Sequence, residues 1–338
     1  MNNIKLAVVG ATGLVGQTIV KVLEEKKLPI SEYAFFASSR SAGKKINLLG
    51  KNYTVQELTS SSFDSGFDFA IFSAGGSVSK EFVPIAVSKG CTVIDNSSYF
   101  RMDKNVPLVV PEVNFEEAKN NIGVISNPNC STIQAVVALK PLDDMYGIKR
   151  IVYSTYQAVS GAGYKGVKDL KAGIENFDSK LSVLENQIQD YELQKFNVPI
   201  FNNCIPHIDV FLDNEYTKEE EKLITETRKI LGKPNLRITA TAVRVPVFNS
   251  HSESINVEFE KDFELNKLKH ILRLSPGITL KEDYPTTLDS NNKDNVFIGR
   301  IRRDFSVNYG INLWVVADNL RKGAAINAVQ ILEKLLAD

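Results

Sequence analysis

The residues of this chain best suited to covalent chemistry stand in the segment Asn127-Pro128-Asn129-Cys130-Ser131-Thr132, followed by Ile133-Gln134-Ala135-Val136-Val137-Ala138-Leu139. Pro128 and Asn129 are turn and cap residues, and the run after them has helical composition, so Cys130 is expected in the first turn of a helix. Unpaired backbone N–H groups and the positive end of the macrodipole favour a thiolate there. Cys130 is therefore a nucleophile candidate, and the competing reading is a small side chain that only packs. A cysteine nucleophile usually needs a base, and the chain holds three histidines, His207, His251 and His270. His270 lies in an amphipathic stretch and is expected at the surface or in the core. His207 follows Cys204 by three residues, but no second ligand pair stands nearby, so no metal site is expected. His251 falls between two strand-like runs, seven residues after Arg244, and an arginine and a histidine at the ends of neighbouring strands can face one pocket. Arg101 after a strand end and Glu220-Glu221-Lys222 at the opening of a helix are further polar candidates, although solvated charge is the commoner fate of such residues.

The elements that must position these residues begin at Ile4. Ile4-Lys5-Leu6-Ala7-Val8-Val9 reads as a buried strand, and Gly10-Ala11-Thr12-Gly13-Leu14-Val15-Gly16 turns into a helix that stops before Pro29. A strand, a glycine-rich turn and a helix form the context of a dinucleotide site, with the pyrophosphate at the helix N-terminus. The second strand, Tyr33 to Ala37, ends in Ser38-Ser39-Arg40-Ser41, with Lys44 and Lys45 just beyond. An NAD site would carry Asp or Glu there. Arg40 between hydroxyls instead suits a 2′-phosphate, which favours NADP(H) over NAD; the alternative is a solvated basic loop. Further strands at 68–73, 90–95 and 123–126 alternate with helices, which implies an open parallel sheet with ligand groups at its carboxyl edge. Gly75, Gly76, Asn96 and Ser97 are expected to line the cofactor cleft. Cys91, at the start of an apolar strand, is expected in the core.

Near residue 150 the texture changes. A strand at 151–159 leads into the loop Ser160-Gly161-Ala162-Gly163, and residues 166–195 carry a helical pattern. A charged helix follows at about 217–231, and another at 262–274. Period-2 apolar residues such as Ile255, Val257 and Phe259 predict a half-exposed, largely antiparallel sheet with helices on one face. At 338 residues two domains are the natural expectation. The division predicted is 1–128 for the cofactor domain, completed by a C-terminal helix at 319–338, and 129–318 for a catalytic and dimerisation domain. Forty basic residues balance forty acidic ones, which offers no global attraction to nucleic acid or to an anionic membrane. No apolar run reaches the ~20 residues of a spanning helix. With no signal-peptide pattern and three well-separated cysteines, a cytoplasmic protein with reduced thiols is expected. A rival constellation, Tyr164-x-x-x-Lys168, has the spacing of short-chain dehydrogenases and epimerases, but Gly166 inside it is a poor helix former.

Taken together these segments resemble the aspartate-β-semialdehyde dehydrogenase family nearly end to end. The matching segments are Gly10 to Gly16, Asn96 to Asp103, Val106 to Asn114, Asn127 to Thr132, Ser154 to Gly163, Ile205 to Asp209, Arg244 to Ser254 and Ala317 to Ala325; Tyr99 and Tyr164-Lys165 are assigned no role. The resemblance implies a Rossmann-type α/β cofactor domain with a second α+β domain of the glyceraldehyde-3-phosphate dehydrogenase-like type, and a homodimer. It implies interconversion of L-aspartyl-4-phosphate and L-aspartate-4-semialdehyde with NADP(H) and inorganic phosphate, on the route from aspartate to lysine, threonine and methionine. In the same reading Cys130 is the nucleophile, His251 the acid/base and Gln157 the residue that orients substrate. Arg244 meets the substrate carboxylate, Glu220 its amino group, and Arg101 and Lys222 the phosphate, with Asn129 alongside. The cofactor residues implied are Gly10, Thr12, Gly13, Leu14, Val15, Ser38, Arg40, Ser41, Gly75, Ser160, Gly161 and Asn319. The nearest enzymatic alternative is N-acetyl-γ-glutamyl-phosphate reductase, which shares the architecture and chemistry.

Overall fold

The structure, a computed structural model, describes residues 3–177 and 191–337. The first part of the chain forms β1 (Lys5–Val9), α1 (Leu14–Lys26), β2 (Glu32–Ala37), β3 (Lys45–Leu48), β4 (Lys51–Thr54) and β5 (Gln56–Glu57). It continues with β6 (Phe69–Phe72), α2 (Gly76–Ser88), β7 (Thr92–Asp95), α3 (Pro111–Asn114) and β8 (Val124–Ser126). Then come α4 (Cys130–Tyr146), β9 (Ile148–Gln157), α5 (Gly163–Glu175), α6 (Lys218–Ile230), β10 (Arg237–Arg244), β11 (His251–Phe259) and α7 (Leu265–Leu274). The chain closes with β12 (Ile278–Leu280), α8 (Thr287–Ser290), β13 (Val296–Asp304), β14 (Gly310–Ala317) and α9 (Asn327–Ala337).

Six strands make a parallel sheet in the order β5-β2-β1-β6-β7-β8, with β3 and β4 as a separate antiparallel hairpin. A parallel sheet is covered on both faces, which explains why β1 is apolar at successive positions rather than at alternate ones. Leu6 and Val8 pack with Ile19 and Leu23 of α1 and with Val329 and Leu332 of α9. Ala7 and Val9 pack on the other face with Phe63, Phe72 and Val83 of α2. This doubly covered sheet brings the glycine turn after β1, Gly75 after β6 and the Asn96 loop after β7 to one carboxyl edge.

The second sheet runs β10-β9-β11-β14-β13-β12. It is mixed: β9–β11, β11–β14 and β13–β14 are antiparallel, whereas β9–β10 and β12–β13 are parallel. Odd-numbered residues of β9, β11 and β14, such as Tyr153, Ile255 and Leu313, face a core shared with α4, α6 and α7. The opposite face carries Tyr156, Ser254 and Trp314, with Tyr156 and Trp314 rings 5.6 Å apart. Of the helix expected over 166–195, α5 realises the part up to Glu175; residues 178–190 lie outside the described residues, and 191–195 are irregular rather than helical. Tyr164 and Gly166 lie within α5, so the glycine does not break this helix.

The chain returns to the first domain at its end. After β14 it forms one π-helical stretch, Arg321–Ile326, and then α9. The turn buries a complete ion pair: Lys322 Nζ, 0 % exposed, lies 2.7 Å from both oxygens of Glu112 and 3.0 Å from Gln330 Oε1. Although burial opposes it, Lys322 holds the Glu112 carboxyl below its ordinary range. Stability from Glu112 is therefore present above the unfolded carboxylate range and is lost as pH falls through the lowered folded value. Breaking such a pair from one side strands a buried charge, so K322M should lower stability by about 3–5 kcal/mol, with the double change K322M/E112M losing much less. Urea midpoints of the two variants check this.

Candidate active site

The strand register assembles the site. β9 ends at Gln157, which pairs with Arg244 at the end of parallel β10, while antiparallel β11 begins at His251 on the other side of β9. Arg244 and His251 are thus not on adjacent strands, as the sequence spacing suggested; β9 lies between them and puts Gln157 in the middle. Across from these strand ends α4 starts at Cys130. A glycine occupies each place where this crowding leaves no room for a side chain. A Cβ on Gly161 would stand 3.0 Å from Arg244 Nη1 and 3.2 Å from His251 Nε2, and one on Gly323 would stand 2.7 Å from Cys130 Cβ.

His251 is fully buried, and its Nδ1 accepts a hydrogen bond from the Ala158 N–H at 3.0 Å. The neutral ring must then carry its proton on Nε2, which has no protein partner. Burial, with the Arg244 charge adding, pulls its pKa down to about 3, so the ring is neutral at pH 7. Arg244 donates from Nη1 to the Ala158 carbonyl at 2.6 Å and leaves Nε unpaired.

Glu219, not Glu220, is the carboxylate of this pocket. Glu220 closes a capping box on Thr217 and accepts from the Ala242 N–H at 2.9 Å, so both of its oxygens are spent on the fold. Glu219, one residue earlier, accepts from Asn129 Nδ2 at 3.0 Å, Gln157 Nε2 at 3.2 Å and Lys222 Nζ at 3.1 Å. Burial works against its charge, yet Lys222, Asn129, Arg244 and Gln157 hold its pKa at about 2. Lys222 also donates to Asp209 at 3.0 Å. The sequence carried a signal for this correction: Thr217-x-x-Glu220 is a capping-box spacing, which assigns Glu220 to the helix end and leaves Glu219 and Lys222 three apart on another face.

The expected thiolate is also corrected. Asn129 caps α4 through its own side chain, which accepts from the Ser131 and Thr132 N–H groups, so those donors are already engaged. Cys130 is half-buried, yet enough protein packs round the sulfur for desolvation to push the thiol up to about 12, with Glu219 adding and Arg244, Arg101 and Lys222 opposing.

Cys130 lies in a wall shared by two clefts, of about 220 Å³ and 430 Å³, which have Gly75, Ser97, Arg101, Asn129 and Gly161 in common. Val15, Asn96, Ser160 and Asn319 line the first; Gln157, Glu219, Lys222 and Arg244 line the second. Asn319 is fixed by Ser160 Oγ and the Ser250 N–H, both at 2.9 Å. The glycine turn stands at the edge of the first cleft: Gly10 has φ +83° and a Cβ there would lie 2.3 Å from the Ser73 carbonyl oxygen. Gly13 caps α1 without a side-chain acceptor, so Thr12, Leu14 and their neighbours present backbone to an anion. Ser38 and Arg40, exposed, and Ser41, half-buried, lie beyond, at the short helical turn after β2, and line neither cleft.

Other candidates fall outside. Exposed Tyr164 and Lys168 line neither cleft, which removes the short-chain dehydrogenase reading. His207 stacks on Phe211 with ring centroids 4.3 Å apart, and no metal-holding cluster of His, Cys, Asp or Glu occurs among the described residues. Cys91 is core and Cys204 exposed. Arg101, Gly323 and the α6 residues Glu226 and Lys229 bear on the site, and only the first of these stood out in the sequence.

Because Glu219 raises the thiol pKa and Arg244 lowers it, the two variants should move alkylation oppositely. The thiolate fraction changes about tenfold per pKa unit. At pH 8, E219Q should speed iodoacetamide labelling of Cys130 and R244Q should slow it, as followed by peptide mass mapping.

Comparison with known proteins bears on the whole chain. Residues 5–121 match the family description "Semialdehyde dehydrogenase, NAD binding domain" and residues 139–322 match "Semialdehyde dehydrogenase, dimerisation domain". The aspartate-semialdehyde dehydrogenase of Aquifex aeolicus is 49 % identical, over 99 % of this chain and 98 % of that protein. That of Bacillus subtilis is 47 % identical, over 98 % and 96 %. The crystal structure of aspartate semialdehyde dehydrogenase II from Vibrio cholerae superposes with a TM-score of 0.93 at 45 % identity, covering 100 % of this chain and 99 % of the other. The enzyme from Candida albicans, solved with NADP, gives 0.73 at 27 % identity, covering 98 % of each chain. With a parallel dinucleotide-type sheet, a mixed second sheet and these relatives over its full length, the chain belongs to the aspartate-semialdehyde dehydrogenase family.

Proposed function

We propose that the chain interconverts L-aspartyl-4-phosphate and L-aspartate-4-semialdehyde with NADP(H) through a thioester on Cys130. The position of Cys130 in the wall between two clefts carries this reading, with the glycine turn at the edge of one and Arg101, Lys222 and Arg244 at the other.

In the biosynthetic direction Cys130 Sγ attacks the acyl carbon, the bond to phosphate breaks, the thiol proton leaves with the departing phosphate, and the acyl group stays on the sulfur. Arg101 and Lys222 offset the charge of the departing phosphate. Arg244 pairs with the substrate carboxylate, for which a planar guanidinium is suited, and Glu219 takes the role assigned to Glu220, receiving the amino group. Gln157, held between Glu219 and Thr155, orients the acyl group. His251 donates a hydrogen bond from Nε2–H to the acyl oxygen as charge builds there. A resting base at Nε2 would need the proton on Nδ1, where the Ala158 N–H already points.

NADPH, when bound, supplies the hydride that reduces the thioester to the aldehyde. Gly10, Thr12, Gly13, Leu14 and Val15 would hold its pyrophosphate, Ser38, Arg40 and Ser41 its 2′-phosphate, and Gly75, Ser160, Gly161 and Asn319 border the site of transfer. The uncapped α1 terminus and the Cβ-free approach at Gly10 fit a dinucleotide; the positive charge of Arg40 supports NADP over NAD. We also infer a homodimer through the outward face of the second sheet, where Tyr156 and Trp314 lie, in keeping with the matched dimerisation domain. A cytoplasmic location follows from the free thiols and the biosynthetic role.

Replacing the nucleophile gives the direct test: C130A should abolish phosphate-dependent NADPH formation from aspartate semialdehyde, and retained turnover would sink the mechanism. N-acetylglutamate semialdehyde assayed in parallel should be turned over far more slowly by the unaltered protein. For the cofactor, R40D should lower kcat/KM for NADP+ by about tenfold or more while sparing NAD+, since it removes a charge-assisted contact to the 2′-phosphate. An unchanged NADP+/NAD+ ratio would remove Arg40 from the site.

A further inference from the structure

The first domain lends the site one cation, Arg101, from the loop between β7 and α3. This guanidinium is nearly immobilised: Nε donates to the Asn127 carbonyl at 2.9 Å, Nη2 to the Asn96 carbonyl at 2.7 Å and Nη1 to Glu226 Oε1 at 2.9 Å. Of the five N–H donors of an arginine, three are thus fixed and two are left for a ligand. The second oxygen of Glu226 accepts from the Asn129 backbone N–H at 2.7 Å, directly before the nucleophile. One buried carboxylate therefore joins Arg101 to the start of α4.

One helical turn further on, Lys229 does a related job. Its Nζ donates to three converging backbone carbonyls, of Arg101 at 2.7 Å, Asp103 at 2.7 Å and Val106 at 2.8 Å. An ammonium has three donors, and here all three hold the loop that carries Arg101. Without that charge three carbonyl dipoles would face one another and the loop would have to open. Glu219, Lys222, Glu226 and Lys229 follow at spacings of three and four along α6, so they share one stripe of the helix. The first two meet the clefts and the last two grip the first domain.

We propose that Glu226 and Lys229 are positioning residues that set Arg101 and Cys130 at a fixed separation across the domain boundary, with Lys229 acting on phosphate binding and Glu226 on both phosphate binding and the nucleophile. The proposal rests on the reading above that Arg101 contacts the phosphate. It predicts effects separated by substrate. K229M should raise KM for inorganic phosphate about tenfold or more, with kcat and the KM values for aspartate semialdehyde and NADP+ within about twofold. E226Q should raise KM for phosphate and lower kcat as well, because one amide oxygen cannot accept from both Arg101 and the Asn129 N–H.

A small cation can stand in for the lost ammonium, which a general loss of packing would not permit. In K229A, methylammonium should bring KM for phosphate back toward the unaltered value, while sodium at matched ionic strength should not. Thermal unfolding of each variant is read alongside. If KM for phosphate is unchanged in K229M and E226Q, or if all three KM values rise together and methylammonium restores none, the inference is overturned. If the unaltered protein shows no phosphate dependence at all, the parent reading of Arg101 fails first and this one with it.

Discussion

The buried carboxylate of Glu219 is the constraint on which the pocket depends. It accepts hydrogen bonds from Asn129 before α4, from Gln157 at the end of β9 and from Lys222 on its own helix, so three elements with no sequence proximity are tied at one point. A charge in that position is tolerable because three donors converge on it, and the donors are fixed because the charge is there. Its neighbour Glu220 does the complementary work of closing the helix on Thr217 and β10. Adjacent glutamates thus serve the site and the scaffold separately.

The same crowding sets the electrostatics. Cys130, His251 and Glu219 all sit where water is scarce, and burial drives each toward its neutral form; only Glu219 has enough partners to stay charged. The thiol and the imidazole are therefore both neutral at rest, a pair that differs from the ion pair often drawn for cysteine nucleophiles. Three cations, Arg244, Arg101 and Lys222, oppose the rise at the sulfur without cancelling it. Charge is kept on Glu219 and the cations and withheld from Cys130 and His251.

Much of this was legible in the residues. The glycine turn after a Val-rich strand, the Pro128-Asn129 entry into a helix and the period-2 run of β11 are local signals, and local geometry obeyed them. What failed was non-local. Arg244 and His251 read as ends of neighbouring strands because only seven residues separate them, yet β9 enters from ninety residues earlier to lie between them. The thiolate expected from a helix start gave way to a side-chain cap and to burial, neither of which periodicity reports. Glu226 and Lys229 look in the sequence like ordinary charges on a charged helix; only the approach of the Arg101 loop gives them a purpose.

The return of the chain to its first domain has a bearing on how the molecule is made. The core under β1 includes Val329 and Leu332 of α9, and Gly323, against which Cys130 rests, belongs to the same closing segment. Domains generally fold as the chain emerges from the ribosome, the N-terminal one first. Here one face of the N-terminal sheet stays only partly covered, by α1 without α9, until α9 has been made, whereas the strands of the second sheet all precede α9. The segment from Arg321 through α9 is thus a latch on biosynthesis: until it is made, β1 lacks part of its cover and Cys130 lacks the backbone against which it rests.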